Sequence, residues 1–267
     1  NYIINNIKHN YYSALYKKIL LYMEQKNIPV IVHTKRGKFL LQLKFPKLKV
    51  IDFPISFLNA TLLENYKKNI ERNIFLKKYG FPSNSIVLGI FGFISEYKGH
   101  EIAIKALSFL PSNYHLAFFG AQHPFSINSQ DKIDSYINSL LNLIVQKKLT
   151  RRVHFLGALN DEEFIQALLC CNYNILPYYE TNQSGSGVAS LSLETGTKMI
   201  TSQNYTFLEL AKYAPDAFKI FSIGNYLELA NCILNFQEPL PGQKEYFKTY
   251  NRDNMIKIYM KTFDSIA

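Results

Sequence analysis

YNILPYYETNQSGSGVASLSLETGTKMIT, residues 173–201, reads as one strand–loop–helix–strand unit. The apolar run at 173–179 suits a buried strand, although Pro177 shifts its last residues towards loop. ETNQSGSG at 180–187 is too polar and glycine-rich for core. VASLSLET then has helical spacing, and Lys198 to Thr201 supplies another strand. A strand followed by a helix that returns to a parallel strand is the repeating piece of an α/β fold.

The rhythm extends in both directions. Towards the amino terminus lie a strand SIVLGIFGF at 85–93, a helix from Lys98-Gly99 to about Leu110, and a strand YHLAFFG at 114–120. A helix over 129–149 and a strand RVHFLG at 152–157 follow, and Asn160 caps a helix to Cys170 with Asp161, Glu162 and Glu163 in its first turn. Past residue 201 the spacing predicts a helix at 206–213, a strand at 218–221, and helices at 225–235 and 245–264. The expected fold class is α/β, a Rossmann-like doubly wound parallel sheet with both faces covered.

Ahead of this sheet the pattern thins. A helix over 62–79 stops at Gly80 and Pro82; before it come a helix at 12–24, strands at 28–34 and 48–53, and a small helix at 35–45. Two strands do not complete a doubly wound domain, so this opening stretch reads as the end of a larger unit, with a missing domain or protein partner. The expected division is 1–58 as the remnant of an amino-terminal α/β domain with its linker, 59–240 as the principal domain, and 241–267 as a terminal helix packing back towards the amino-terminal part.

Composition narrows the partners. Residues 1–80 hold 15 of the 30 Lys and Arg but 4 of the 20 Asp and Glu, so the net charge of +10 belongs to the front of the chain. Such asymmetry suits an anionic membrane surface or a phosphorylated substrate, and equally a solvated basic surface. Nucleic acid is not an expected partner, because no recognition module is readable. The three cysteines, Cys170, Cys171 and Cys232, have neither disulfide nor metal-ligand spacing and read as thiols in a reducing compartment. No run approaches about 18 apolar residues and no signal-peptide order is present, so the expected location is cytoplasmic, including peripheral attachment to the cytoplasmic membrane face.

Ligands of open α/β sheets bind beyond the carboxyl ends of strands. Two segments occupy such positions. In FGFISEYKG at 91–99, Gly92 ends a strand and Lys98-Gly99 begins a helix, which suits close backbone approach and a phosphate; a tight turn with a solvated lysine is the plainer reading. In SGSG at 184–187 the amides of a helix start suit an anion, and Ser184 or Ser186 equally suits simple capping. Glu194, two turns on, suits a ribose diol or a surface acid. Together the segments describe a nucleoside-diphosphate site without naming a reaction. His33, His115 and His154 sit in strand-like contexts as structural residues; His100 and His123 lie near strand-end turns that could face the cleft.

These ordered segments resemble the carboxy-terminal domain of retaining family 4 glycosyltransferases, which have two Rossmann-like domains in the GT-B arrangement. GFISEYKG at 92–99, RVHFLGALNDEEFIQAL at 152–168 and NILPYYETNQSGSGVASLSLETGTKMITS at 174–202 carry the likeness. The resemblance implies transfer of a sugar from a nucleoside-diphosphate sugar to a glycan or lipid-linked acceptor, with retained anomeric configuration and without a required metal or other cofactor. It implies that Gly92, Lys98, Ser184, Gly185, Ser186, Gly187 and Val188 hold the diphosphate, Phe155 and Leu156 border the base, and Glu194 engages ribose. Lys98 and Glu180 would serve catalysis, with Thr181 also within reach of the sugar. Two positions depart from the family: Phe93 stands where a basic residue often follows the glycine, and Ser186 where the first of a pair of glutamates stands. A noncatalytic or degenerate nucleotide-sugar binder is the competing account, and a nucleotide-sugar epimerase a more distant one.

Overall fold

The computed structural model describes residues 2–122, 135–180, 183–238 and 240–266, with side chains from Ala14 onwards. The chain divides into two compact units, Asn1–Ile55 with Asp253–Ala267, and Ser56–Arg252. In the first, α1 (Tyr2–Gln25), β1 (Val30–Val32), α2 (Lys35–Lys44) and β2 (Val50–Asp52) follow in order, and β1 and β2 pair in parallel. Thr34 starts α2 by accepting the Gly37 N–H at 2.9 Å. The small core is Phe45, Leu48 and Val50, packed by Leu20, Met23, Val32 and Leu41. His33 is structural here, its Nδ1 lying 3.0 Å from the Phe53 carbonyl oxygen.

The second unit holds a six-stranded parallel sheet of β3 (Ile86–Phe91), β4 (Tyr114–Phe119), β5 (Val153–Phe155), β6 (Tyr173–Leu176), β7 (Met199–Ser202) and β8 (Lys219–Phe221), in the order β5-β4-β3-β6-β7-β8. Alternation along the strands fills both faces. Leu88, Ile90, Leu116 and Phe118 join α5 (His100–Leu107), α6 (Ser135–Gln146) and α10 (Tyr226–Leu234) on one side. Val87, Phe91, Ala117 and Phe119 meet α3 (Ala60–Lys68), α4 (Arg72–Lys78) and α7 (Asp161–Cys170) on the other. Near β6 and β7 a third cluster joins α8 (Gly187–Thr195), α9 (Tyr205–Ala211) and α11 (Pro241–Thr249) through Leu176, Leu193, Met199, Phe207 and Tyr246.

Two expected helices are each broken in two. The stretch over 62–79 stops at Lys68 and resumes at Arg72. A continuous helix would turn Leu63 and Phe75 about 120° apart at roughly 100° per residue; the break lets both enter one core. Arg72 fixes the restart by donating to the carbonyl oxygens of Cys170 and Ser85 and to Asn172 Oδ1. The stretch over 245–264 begins earlier, at Pro241, where the missing N–H is harmless. It breaks at Tyr250 and Asn251, before α12 (Arg252–Asp264). Of the expected helix at 129–149, residues 129–134 lie outside the described residues.

The strand order reverses between β3 and β6, so the loops following them flank the crevice of a doubly wound sheet. Gly92, at φ +86°, turns the chain out of β3 and donates to the Phe119 carbonyl at 2.9 Å. A Cβ added to Gly120, at the end of β4, would lie 2.1 Å from the Gly92 carbonyl oxygen. Gly120→Ala is therefore expected to cost about 2–3 kcal/mol by overpacking against backbone, read as a lower urea midpoint. An unchanged midpoint would show that the two strand ends part freely.

Among the described residues no helix is long and apolar enough to cross a membrane, and no three His, Cys, Asp or Glu side chains are grouped to hold a metal ion. Cys170 and Cys171 are buried free thiols, and Cys232 is half-buried.

Candidate functional site

The two glycine-bearing segments meet. Lys98 closes a short 3₁₀ turn, Glu96–Lys98, and its side chain runs back beneath Gly92 with Nζ donating to the Phe91 carbonyl at 2.8 Å. A Cβ on Gly92 would come within 2.5 Å of Lys98 Nζ, so the missing side chain is the space the ammonium uses. Lys98 is 5% exposed and makes no ion pair among the described residues. Its charge is held over the rings of Tyr97 and Tyr178, at 6.0 and 5.8 Å from their centroids. Burial lowers its pKa from 10.5 to about 8.

Tyr178 is the link to the second segment. Its buried phenol is kept protonated by desolvation and feels the Ser186 side chain, while Ser186 Oγ accepts the Ala189 N–H at 3.3 Å as N-cap of α8. One residue on, Tyr179 N–H donates to the Tyr97 carbonyl at 2.7 Å, stitching the loop after β6 to the loop after β3. At the head of α8 the N–H groups of Gly187 and Val188 have no partner within the helix. Gly187 lies along the Phe57 ring, to which an added Cβ would approach within 3.3 Å. Ser184 is exposed and Gly185 half-buried on the approach to this cap. A buried ammonium and a helix start thus flank the switch point of the sheet, with Tyr178 between them.

No protein-family model matches the sequence, and neither does any curated protein. Solved structures do match in shape. HepE from Anabaena, determined in complex with UDP, superposes with a TM-score of 0.72 at 19% identity, over 89% of this chain and 64% of its own. A glycosyltransferase from Rickettsia africae gives a TM-score of 0.71 at 16% identity over 93% and 67% of the two chains. Sucrose-phosphate synthase from Thermosynechococcus elongatus gives 0.67 at 16% over 93% and 62%. The fold is GT-B. The chain spans under two thirds of the length of HepE and of the synthase.

Within this GT-B sheet the other nominated residues are spread more widely. Phe155 is partly exposed at the end of β5, with its ring 5.1 Å from that of Phe118, and Leu156 N–H donates to the Phe118 carbonyl at 2.9 Å. Both stand two strands from β3, on the β4 side. Phe93, beside Gly92, is 48% exposed.

Two carboxylates face elsewhere. Glu180 Oε2 accepts the Tyr205 N–H at 3.0 Å, and the Thr206 hydroxyl donates to the Gln183 carbonyl at 2.8 Å, so this acid fastens its loop to the start of α9. Glu194, 2% exposed, accepts the N–H groups of Phe57 at 3.0 and 3.2 Å and of Leu58 at 2.8 Å. The carboxylate expected at a ribose holds the segment that opens this unit. Burial outweighs those hydrogen bonds and raises the Glu194 pKa from 4.5 to about 7.

His100 does not face an open cleft. It is fully buried against Phe118, ring centroids 4.9 Å apart, and burial lowers its pKa to about 3, so it is neutral. His115 and His154 pair across β4 and β5 at 3.1 Å, a structural contact beside Phe81. His123 and Thr181 lie outside the described residues. Tyr178 had no sequence signal beyond its place in an apolar run, because what matters is that its ring lies against Lys98 and Tyr97.

Proposed function

We propose that this chain carries the donor-binding part of a glycosyltransferase that moves a sugar from a nucleoside-diphosphate sugar to a glycan or lipid-linked acceptor with retained anomeric configuration. The observation that carries the reading is Lys98: a nearly buried ammonium that makes no ion pair among the described residues and lies against Tyr178, which leads on to the head of α8. A buried charge without an opposite one is costly, and an arriving diphosphate supplies it. During transfer the same groups would stabilise the charge that grows on the departing diphosphate. Gly92, Ser184, Gly185, Ser186, Gly187 and Val188 would line the phosphates, with Phe155 and Leu156 towards the base. The complexes of HepE with UDP and UDP-glucose make uridine the first donor to try. Glu194 would engage ribose and Glu180 would serve catalysis only by accepting a further donor beyond the backbone N–H groups each already holds.

Calorimetric titration with UDP, GDP and ADP from pH 7 to 9 tests this. With a second pKa of about 6 the terminal phosphate is roughly nine-tenths ionised at pH 7 and almost wholly ionised by about pH 8, so the change across the window is mainly that of Lys98. Binding is expected to take up a proton near pH 8 and to weaken as pH rises, because only the ammonium form pairs with the diphosphate. If no nucleoside diphosphate binds, or binding is flat across the window, the reading fails.

The commitment of Glu180 and Glu194 to backbone favours one alternative, a nucleotide-sugar binder without transfer. Acceptor-dependent release of UDP from UDP-glucose separates the two.

A further inference from the structure

Beside the loops after β3 and β6, on the α5 side, lies an open cavity of about 500 Å³ lined by Glu96, Tyr97, Glu101, Tyr136 and Tyr179. This volume falls within the roughly 300–1,000 Å³ usual for small-molecule sites. Its centre is Glu101. One carboxylate oxygen accepts the Tyr136 hydroxyl at 2.6 Å, the other the Tyr179 hydroxyl at 2.7 Å. Tyr136 Oη also accepts the His100 N–H at 3.2 Å, and Tyr179 N–H is tied to Tyr97. Rings from α6 and from the loop after β6 are thus fixed on one acid before any ligand arrives, while the Tyr97 ring packs edge-on against Tyr178.

The chemistry of the lining selects against phosphate. Among the described residues two carboxylates and three tyrosines line the cavity with no lysine or arginine, whereas Lys98 points the other way, beneath Gly92. Tyr179 remains 39% exposed although its hydroxyl is bound, so its ring cannot turn away from solvent without breaking that bond. Each Glu101 oxygen that accepts one tyrosine keeps a second lone pair for a further donor. Fixed aromatic surface beside carboxylate acceptors matches a pyranose, which offers an apolar C–H face and donating hydroxyls at its rim.

We propose that this cavity is a saccharide subsite, holding one sugar unit of a neutral or amino-bearing glycan beside the diphosphate site of the transferase reading. Its recognition chemistry stands alone; its role, keeping the acceptor glycan next to the donor, rests on the transferase reading.

Maltotriose, cellotriose and chitotriose, titrated against the chain by saturation-transfer NMR with UDP binding measured in parallel, test it. At least one trisaccharide is expected to bind. Tyr179→Ala should weaken it tenfold or more, Tyr179→Phe should leave most of the affinity, and Glu101→Gln should weaken it by a smaller factor. UDP affinity should stay within twofold in all three variants, which also shows that they are folded. The subsite is overturned if none of the sugars binds, or if Tyr179→Ala leaves sugar binding intact. Sugar binding without UDP binding would remove the transferase reading and keep the subsite.

Discussion

Lys98→Met is expected to weaken nucleoside-diphosphate binding, and any sugar transfer, by about 10²–10³-fold, the usual loss when a main electrostatic partner of developing charge is removed. The same change should make the free protein more stable at pH 7. Lys98 is buried with one carbonyl as its hydrogen-bond acceptor, and its pKa falls from 10.5 unfolded to about 8 folded. Between those values the folded state binds fewer protons than the unfolded state, so stability rises with pH across that window. At pH 7 the charged lysine therefore costs about 3 kcal/mol, taking about 1.4 kcal/mol per pKa unit. Methionine keeps most of the volume and removes that cost. Urea unfolding at pH 7 and UDP titration on the same variant read both halves. A variant that is less stable and still binds UDP as the parent does would mean that Lys98 is a packing residue.

Much of this arrangement was readable in the sequence because it is periodic. Alternation along Ile86–Phe91 and Tyr114–Phe119 marks strands buried on both faces, and the Asn160–Glu163 capping box marks the start of α7. Gly92 and Lys98 were legible as a strand-end turn meeting a helix. What spacing does not carry is direction. Glu194 stands eight residues beyond Ser186, about 80° further round the helix at roughly 100° per residue. That angle turns it from the cap towards Phe57 and Leu58. Nor does sequence reveal that Lys98 folds under Gly92 rather than reaching into solvent, since that depends on the strand order placing β6 and Tyr178 beside β3.

Glu194→Ala is expected to cost about 3–5 kcal/mol near pH 5, and less at pH 8. Removing the carboxylate orphans the Phe57 and Leu58 N–H groups, each a loss of about 1–3 kcal/mol when buried. These residues follow Ser56, where the unit begins, and the Arg252 N–H that ends it donates to the Leu58 carbonyl at 2.9 Å, so one acid steadies both ends. The pH dependence follows from the raised pKa. With a folded value of about 7 against 4.5 unfolded, the folded state binds more protons in that interval, and stability falls as pH rises through it. Charging the group costs about 3 kcal/mol over the window at about 1.4 kcal/mol per unit; Ser56 and Arg252 beside it already offset part of the burial, and Tyr246 faces it as a neutral phenol. Glu194→Gln keeps one acceptor and cannot ionise, so its stability should lack this slope and approach or exceed that of the parent above pH 7. Parallel stability curves for the parent and Glu194→Gln between pH 5 and 8 would mean that the carboxylate stays ionised throughout, with its amide partners and Arg252 outweighing burial.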